Sequence, residues 1–215
     1  MRIFLIMKKQ SLLYLFFKRV FDVLLSSIAL IVLSPIFLTV FLMYQFGQNR
    51  GPVIYRQQRV GLNGRLFNIL KFRSMVVNAD QKLHENKALY ALYVKNNYKL
   101  EPEQDPRITS FGRWLRKTSI DELPQFVNIL KGDMSLIGPR PIVQEELAEY
   151  GDRKSIFLSV KPGAMGLWQA SGRSNIGYPE RCELELSYVE QASFWSDAKI
   201  LVRNIVTIFK SEGAY

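Results

Sequence analysis

Two adjacent carboxylates, Asp121 and Glu122, have the clearest capacity for chemistry in this sequence. They lie within Thr-Ser-Ile-Asp-Glu-Leu-Pro-Gln at residues 118–125. A carboxylate can act as a nucleophile in covalent phosphoryl chemistry. Asp121 fits the N-cap of a helix with Pro124 in the first turn, where the helix dipole keeps a carboxylate ionised and attracts phosphate. The alternative interpretation is that Asp121 only caps the helix and that Glu122 is an ordinary surface residue.

The helix after this pair is predicted to be short and to have one apolar face. Its apolar residues recur at the spacing of a helix face. They are Leu123, Phe126, Val127 and Leu130. Lys131 and Gly132 are typical of a helix C-terminus, so the helix is expected to end there.

Basic residues on two preceding segments are candidates for binding phosphate beside the carboxylates. Lys71 and Arg73 lie on the same side of a predicted strand, because side chains alternate along a strand. A solvated strand face is an equal alternative for this pair. Arg116 lies on a short predicted helix that Thr109 or Ser110 can cap, directly before the carboxylates.

Two further arginines lie in predicted loops. Arg140 stands between Pro139 and Pro141, which stiffen the backbone, and a guanidinium suits bidentate phosphate binding. The alternative is a structural turn with a solvated arginine. Arg173 belongs to a glycine-rich loop with Trp168 that is suited to holding a base, a sugar or a phosphate, although a core role for Trp168 is an equal alternative.

Composition narrows the function classes. The chain has 215 residues, a hydrophobic content of 48% and a net charge of +10, which points to nucleic acid, a membrane surface or a phosphorylated substrate as the partner. Cys182 is the single cysteine, so no internal disulfide can form and a reducing compartment is the simple inference. His84 is the single histidine, which argues against Ser-His-Asp chemistry and His-rich metal sites. The sequence contains neither a Walker A motif nor an Asp-x-Asp triplet.

Residues 23–43 form an uncharged apolar stretch long enough for a membrane helix. Ser34-Pro35 lies in its middle and predicts a bend, since proline lacks the backbone N–H that a helix needs. Basic residues flank both ends of the stretch, among them Arg19 before it and Arg59 after it, which favours a cytoplasmic location for both ends. A re-entrant helix-break-helix satisfies both facts and is favoured over a kinked single span and over a signal peptide. Asp22 is expected at headgroup depth near Arg19.

The remaining elements predict a mostly helical α+β protein. Residues 53–60 and 65–73 are predicted to form a β-hairpin. Helices are predicted over three further segments: 75–95, 144–150 and 178–194. A last basic amphipathic helix, with Asp197 as its N-cap, suits either a membrane interface or the domain surface. We expect an N-terminal re-entrant membrane segment over residues 1–50 and a compact cytoplasmic catalytic domain with interfacial amphipathic helices over residues 51–215.

The motifs of the chain, in their order, resemble those of a known family. The matching pieces are Ser34-Pro35, Lys-Phe-Arg-Ser-Met at 71–75, Asp-Pro-Arg-Ile-Thr at 105–109, the motif at 118–125, Lys-Gly-Asp-Met-Ser-Leu-Ile-Gly-Pro-Arg-Pro at 131–141, and the segment 161–173. They cover the chain from about residue 18 to its end. The chain is similar to the bacterial sugar transferases, which are monotopic polyprenol-phosphate phosphoglycosyl transferases that start surface-glycan assembly.

The resemblance implies transfer of a sugar 1-phosphate from a UDP-sugar to undecaprenyl phosphate, with release of UMP and with Mg2+ as cofactor. Asp121 would form a phosphosugar-enzyme intermediate, and Glu122 would help to hold Mg2+. Ser34-Pro35 would mark the break of a re-entrant helix at the cytoplasmic face of the bacterial inner membrane. The sugar would be galactose or glucose, with galactose favoured, and the product would start exopolysaccharide, capsule, O-antigen or S-layer glycan synthesis.

The expected partners are therefore undecaprenyl phosphate, a UDP-sugar and the cytoplasmic leaflet of the membrane, and not nucleic acid; a homodimer is left open. The cations would neutralise the diphosphate so that an anion can attack it. Long relatives in the family carry an additional N-terminal multi-span region, so this chain is expected to be a short form or a catalytic portion.

Two positions depart from the family pattern. Pro-Gly-Ala-Met-Gly stands at residues 162–166, where Pro-Gly-x-Thr-Gly is common, and Glu185 stands where an aspartate is common.

The competing hypotheses are a non-enzymatic, membrane-anchored scaffold for glycan assembly and a membrane-tethered nucleic-acid binder. The scaffold hypothesis predicts that Asp121 and Glu122 are dispensable, and the third hypothesis predicts steeply salt-dependent binding to DNA or RNA.

Overall fold

The computed structural model of the chain describes residues 10–96, 98, 100, 105–172 and 175–210. The helices in these ranges are α1 (Leu12–Val32), α2 (Ser34–Met43), α3 (Ala79–Glu85), α4 (Lys87–Lys95), α5 (Ser110–Lys117), α6 (Gln125–Lys131), α7 (Lys154–Phe157), α8 (Leu167–Ser171), α9 (Glu180–Gln191) and α10 (Phe194–Lys210). The strands are β1 (Ile54–Val60), β2 (Leu66–Phe72), β3 (Ser135–Ile137) and β4 (Gly163–Met165). The prediction of a mostly helical α+β protein is confirmed.

The predicted hairpin is confirmed as well. β1 and β2 are antiparallel, and their register pairs Val60 with Leu66 next to the turn. Asn63 in the turn has a φ of 56°, a left-handed conformation in which asparagine is enriched. Phe67 and Ile69 on one face of β2 are buried. Lys71 follows them at the same period of two, so it also faces the domain.

β3 and β4 form a small parallel pair, with Ser135 opposite Gly163. Gly163 is needed there, because a Cβ atom on it would lie 2.0 Å from the backbone nitrogen of Gly138. The core around this pair joins β2, α6, β3, α9 and α10. Its buried residues are Phe67, Ile69, Ile129, Met134, Leu136, Ile137, Tyr188, Val189 and Ile200.

Charged side chains fasten α1 to the domain. Arg19 donates hydrogen bonds of 2.6 and 2.7 Å to two carbonyl oxygens in the last turn of α6, where a cation is favoured by the helix dipole. Asp22 accepts hydrogen bonds from Oγ of Ser135 at 3.1 Å and from the backbone nitrogen of Leu136 at 2.8 Å. Asp22 is only 4% exposed. The start of β3 thus supplies the donors that its carboxylate needs, and its predicted location at headgroup depth stays a prediction.

α1 and α2 meet at a bend of 55° next to Ser34-Pro35. Oγ of Ser34 donates to the carbonyl oxygen of Ile31 at 2.8 Å, which compensates in part for the backbone donor that proline lacks. In the described part of the chain, no single helix has both the length and the apolar character of a membrane span, whereas this bent pair meets the two criteria together.

Both ends of the bent pair contact the same domain. Near its start, Nζ of Lys18 lies 2.5 Å from Oδ2 of Asp197 on α10. At its end, Tyr44 is buried and its hydroxyl donates to the carbonyl oxygen of Arg73, directly after β2. The outward faces of both helices remain apolar and exposed, as at Ile31, which is 73% exposed.

The predicted position of Asp121 as the N-cap of the central helix is wrong. α6 begins only at Gln125, and Asp121 lies in a preceding 3-10 turn, Ile120–Glu122. The predicted apolar face is only half-buried, and Asn128 is among the residues that α6 buries instead. Its side-chain amide accepts from the backbone nitrogen of Leu70 at 2.9 Å and donates to the carbonyl oxygen of Asn68 at 2.8 Å, so polar contacts with β2 set the orientation of the helix.

Other helix boundaries shift for local reasons. The predicted helix 75–95 is two helices, because Asn86 ends α3 and its Oδ1 accepts from the backbone nitrogen of Leu89 to cap α4. Residues 145–153 form a 3-10 helix rather than an α-helix. Asp197 does not cap α10: Oγ of Ser193 accepts from the backbone nitrogen of Ser196, while Asp197 pairs with Lys18.

Replacement of Arg19 by Met should lower the free energy of unfolding by on the order of 2 kcal/mol, because two charge-assisted hydrogen bonds to α6 are lost. Thermal unfolding of the detergent-solubilised protein, followed by circular dichroism, measures this change. Arg56→Met is the matched control, since Arg56 is exposed on β1. Equal unfolding temperatures for the two variants would contradict the proposed docking of α1.

Candidate functional site

A sharp turn after α5 presents the two carboxylates. Thr109 caps α5 as predicted, with its Oγ1 accepting from the backbone nitrogen of Gly112 at 2.9 Å. Ser119 then adopts a left-handed φ of 56°, and the 3-10 turn follows. Asp121 is only 6% exposed, whereas the side chain of Glu122 is 36% exposed and lines a cleft. The turn therefore directs one carboxylate inward and its neighbour toward solvent.

Burial raises the pKa of Asp121 to about 6, because the protein interior solvates a charge less well than water does. The positive charge of Lys71 has the largest effect in the opposite direction, and Arg116 and Arg140 act in the same way. The negative charge of Glu122 adds to the rise. The structure thus brings Asp121 within electrostatic range of three of the predicted cations.

Lys71 and Glu122 form an ion pair at the edge of the cleft. Nζ of Lys71 on β2 lies 2.6 Å from Oε1 of Glu122. Their side chains are 18% and 36% exposed, so the pair is only partly shielded from water. A partly exposed pair of this kind can exchange partners when an anionic ligand arrives.

The cleft is predominantly cationic. It is open to solvent, and about 250 Å³ of space within it and at its mouth is free of protein atoms. Its lining residues are Arg59, Ile69, Lys71, Glu122, Gln125, Arg140, Pro141, Gly163, Ala164 and Gln169. Lys71 pairs with the carboxylate of Glu122, and Arg59 pairs with Glu146 behind the lining. The positive charge of Arg140 therefore makes the cleft suited to a ligand that carries phosphate groups.

Arg140 reaches this cleft from the segment between β3 and the 3-10 helix. Its guanidinium carbon lies 5.5 Å from the centroid of the Trp168 ring, a distance typical of a cation–π contact. Trp168 is buried, and its Nε1 donates to the carbonyl oxygen of Ile176 at 2.8 Å. The core role for Trp168 is thus the one that the structure shows, and one side of its ring supports Arg140.

Arg73 does not share partners with Lys71, contrary to the prediction. It follows the end of β2 and is buried. Its guanidinium donates to carbonyl oxygens of three residues: Asn49, Pro52 and Met75. Because backbone carbonyls occupy these donors, Arg73 holds the loop before β1 and is not presented to the cleft as a phosphate ligand.

The other two predicted cations have different outcomes. Arg116 is half-buried on α5 and lies close enough to Asp121 to lower its pKa, although it does not line the cleft. Arg173 lies outside the described residues, so its predicted role stays a prediction.

Two polar cleft residues were missed by reasoning from the sequence: Arg59 and Gln125. Arg59 was assigned only to the basic flank of the hydrophobic segment, yet it is half-buried on β1 and lines the cleft. The alternation of β1 contained the signal, because Tyr55, Gln57 and Arg59 occupy one strand face. Gln125 is the last residue of the predicted motif. Gln169 also lines the cleft, and it belongs to the glycine-rich loop that was predicted to hold a ligand.

The carboxylate pair fits the Mg2+ that the resemblance implies. Among the residues that the structure describes, no group of three or more His, Cys, Asp or Glu side chains comes together. Mg2+ is usually bound through one or two carboxylates, while water and phosphate oxygens complete its coordination. Glu122 lines the cleft and offers such a carboxylate beside the buried Asp121.

This arrangement is suited to chemistry at a phosphorus atom. Asp121 is a desolvated carboxylate, and removal of hydration makes an anion more reactive. Lys71 and Arg140 can offset the negative charge of a phosphorylated ligand, which would otherwise repel an attacking carboxylate. The site therefore places a buried carboxylate beside cations that can offset the charge of a phosphorylated ligand.

Comparison with known proteins agrees with the resemblance in sequence motifs. The profile of the bacterial sugar transferase family matches residues 13–211. The undecaprenyl-phosphate galactose phosphotransferase of Salmonella typhimurium is 45% identical over 203 residues, which cover 93% of this chain and 42% of that protein. Exopolysaccharide production protein ExoY of Sinorhizobium fredii is 42% identical over 199 residues, 92% of this chain and 88% of that protein.

A more distant relative is the UDP-glucose:undecaprenyl-phosphate glucose-1-phosphate transferase of Escherichia coli. It is 35% identical over 206 residues, which cover 92% of this chain and 41% of that protein. The chain thus spans less than half the length of the Salmonella and Escherichia relatives and most of the length of ExoY.

Replacement of Asp121 by Asn should raise the free energy of unfolding at pH 7.5 by about 3 kcal/mol, because the neutral amide avoids burying a charge. The folded protein keeps the Asp121 proton up to about pH 6, whereas the unfolded chain releases it near pH 4. The contribution of the Asp121 carboxyl to the stability of the folded protein is therefore fully present below about pH 4, and it is lost as the pH rises through about 6.

Unfolding curves of wild type and Asp121→Asn at pH 4, 5, 6 and 7.5 test this expectation. The difference between the two proteins should grow across this window and then level off. Asp152→Asn, at an exposed carboxylate, is the control and should show no such trend. Parallel stability profiles for wild type and Asp121→Asn would contradict the raised pKa.

Proposed function

The chain belongs to the bacterial sugar transferase family, and we propose that it transfers a sugar 1-phosphate from a UDP-sugar to undecaprenyl phosphate, with release of UMP. The names of the Salmonella and Escherichia relatives support this substrate class. The observation that carries the proposal is the buried Asp121 beside the Lys71–Glu122 ion pair, at a cleft that three cations line.

Asp121 is the proposed nucleophile. Its carboxylate oxygen attacks the phosphorus atom that bears the sugar, and the bond between that phosphorus and the bridging oxygen breaks. The bridging oxygen leaves with the electron pair as part of UMP, and an aspartyl phosphosugar remains on the enzyme. A phosphate oxygen of undecaprenyl phosphate then attacks the same phosphorus atom and releases the Asp121 carboxylate. The raised pKa of Asp121 increases its basicity while leaving it mostly ionised at neutral pH.

The cations of the cleft offset the charge of the diphosphate during both steps. Arg59, Lys71 and Arg140 line the cleft, and Arg116 contributes from α5 through its electrostatic effect on Asp121. Mg2+ bound through Glu122 would supply further charge neutralisation at the diphosphate oxygens. Lys71 can then turn from Glu122 toward a phosphate oxygen, since their ion pair is partly exposed.

The bent pair α1–α2 supports attachment to the cytoplasmic leaflet by a re-entrant segment. Both ends of the pair contact one domain, through Lys18 and through Tyr44, so they leave the membrane on the same side. Exposed apolar side chains extend from this pair onto α10, where Trp195 is 74% exposed. A continuous apolar surface of this kind marks an interface with lipid or protein. Because the proposed acceptor is embedded in the membrane, lipid is the partner that this surface is proposed to contact.

Galactose 1-phosphate is the favoured transferred group, with glucose 1-phosphate as the alternative. The Salmonella relative named for galactose is 45% identical, and the Escherichia relative named for glucose is 35% identical. The product would be the first lipid-linked intermediate of an exopolysaccharide, capsule, O-antigen or S-layer glycan. ExoY, which is named for exopolysaccharide production, supports the first of these.

Purified protein in detergent with undecaprenyl phosphate, Mg2+ and either UDP-galactose or UDP-glucose should release UMP. Asp121→Asn should lower the rate by at least about a thousandfold, because the nucleophile is lost, while Asp152→Asn should leave it unchanged. Turnover by Asp121→Asn would reject the nucleophile. No UMP release by wild type from any UDP-sugar of a panel would reject the function and favour the scaffold hypothesis.

The re-entrant topology predicts that cysteines introduced in place of Gln10 and Gln45 are both protected from an impermeant thiol reagent in intact cells. These positions flank the bent pair, and both should face the cytoplasm. Labelling after lysis shows that each thiol is reactive, and the native Cys182 is buried. Labelling of one position alone in intact cells would indicate a single span.

A further inference from the structure

The segment Pro139-Arg140-Pro141 has a single backbone N–H group, that of Arg140, because proline has none. This N–H donates to Oε1 of Glu185 at 3.3 Å. Glu185 lies on α9, 45 residues farther along the chain, and is only 1% exposed. A buried carboxylate from a distant helix therefore accepts the one backbone donor that this segment has.

A second buried carboxylate holds the chain just after the segment. Oε1 of Glu146 accepts from the backbone nitrogen of Val143 at 3.2 Å. Oε1 of Glu146 also lies 3.5 Å from Nη1 of Arg59, which in turn donates to the carbonyl oxygen of Pro141 at 3.3 Å. The backbone on both sides of Arg140 is thus fixed by side chains from other elements.

Arg181 joins the two carboxylates. Its Nε lies 3.3 Å from Oε1 of Glu185, and its Nη1 lies 3.1 Å from Oε2 of Glu146. Its guanidinium carbon is 4.6 Å from the centroid of the Trp168 ring, the same ring that Arg140 approaches. Glu185 therefore affects Arg140 by two routes, through its backbone and through the position of Trp168.

The ion pairs of this network do not include the side chain of Arg140. Arg59 and Arg181 pair with the two buried carboxylates. Among the described residues, no carboxylate forms an ion pair with the side chain of Arg140. A guanidinium on a fixed backbone, without a carboxylate partner, loses little conformational freedom and no internal ion pair when it binds a phosphate.

We propose that Glu185 is a positioning residue that holds Arg140 in the cleft for the diphosphate of the nucleotide-sugar. This inference rests on the proposed function. It deepens that function by assigning the orientation of a substrate-binding cation to a residue that does not touch the substrate.

Glu185→Gln and Glu185→Asp test the proposal. The first removes the charge that holds Arg181, and the second keeps the charge but withdraws it from the backbone of Arg140. Each should raise the KM for the UDP-sugar about tenfold with a smaller change in kcat, since binding of the diphosphate is weakened. Glu183→Gln is the matched control, because Glu183 lies on the same helix in an exposed ion pair with Arg153.

A double-mutant cycle with Arg140→Ala separates positioning from general stability. If Glu185 acts through Arg140, the KM effect of Glu185→Gln should disappear in the Arg140→Ala background. A full effect in that background, or an unchanged KM in the Glu185 variants, would overturn the inference. Failure of wild type and Glu183→Gln to release UMP would instead overturn the proposed function, and the inference with it.

Tyr150→Phe replaces the Glu185 variants in the KM measurement if both of them fail to fold. It removes only the hydroxyl that donates to Oε2 of Glu185 at 2.7 Å. A KM that is raised in this variant, but not when Arg140→Ala is also present, supports the proposal. An unchanged KM overturns it.

Discussion

The burial of the Asp121 carboxylate is the constraint on which the site depends. An ionised carboxylate in a protein interior needs compensating charge or it takes up a proton. Burial pushes the pKa of Asp121 upward, and Lys71, Arg116 and Arg140 push it back. These cations come from β2, from α5 and from the segment after β3, so the packing of these elements decides whether Asp121 is ionised and reactive at neutral pH.

The fully buried arginines of the domain differ from Arg140 in their partners. Arg73, Arg107 and Arg181 are buried and bind carbonyl oxygens or carboxylates, so their charges are used within the fold. Arg140 is half-buried over an aromatic ring, and no carboxylate in the described part of the chain forms an ion pair with its side chain. Separation of structural from available cations explains how a chain of net charge +10 can present a small, directed cationic cleft.

The bent pair α1–α2 follows a related principle. α1 uses Lys18, Arg19 and Asp22 to bind α10, α6 and β3, and it leaves its opposite face apolar. Its polar residues therefore serve the protein interface and its apolar residues face outward. Under the proposed function, this arrangement brings a cleft for a water-soluble nucleotide-sugar next to the lipid layer that holds the acceptor.

The sequence by itself determined the features that depend on neighbouring residues. It predicted the hairpin, the bend at Ser34-Pro35, the Thr109 cap and the pairing of Asp121 with Glu122 in one motif, because turns, caps and prolines act within a few residues. The order of the motifs along the chain was also sufficient to indicate the family.

Only the tertiary structure decided which charged groups meet. Nothing local distinguishes Arg59 in the cleft from Arg73 among carbonyl oxygens, or reveals that Asp22 and Glu185 are buried. Each of these side chains takes its partner from an element tens of residues away. A charged group binds whichever complementary group the packing brings within about 3 Å, and that packing is set by the whole core rather than by the sequence around the charge.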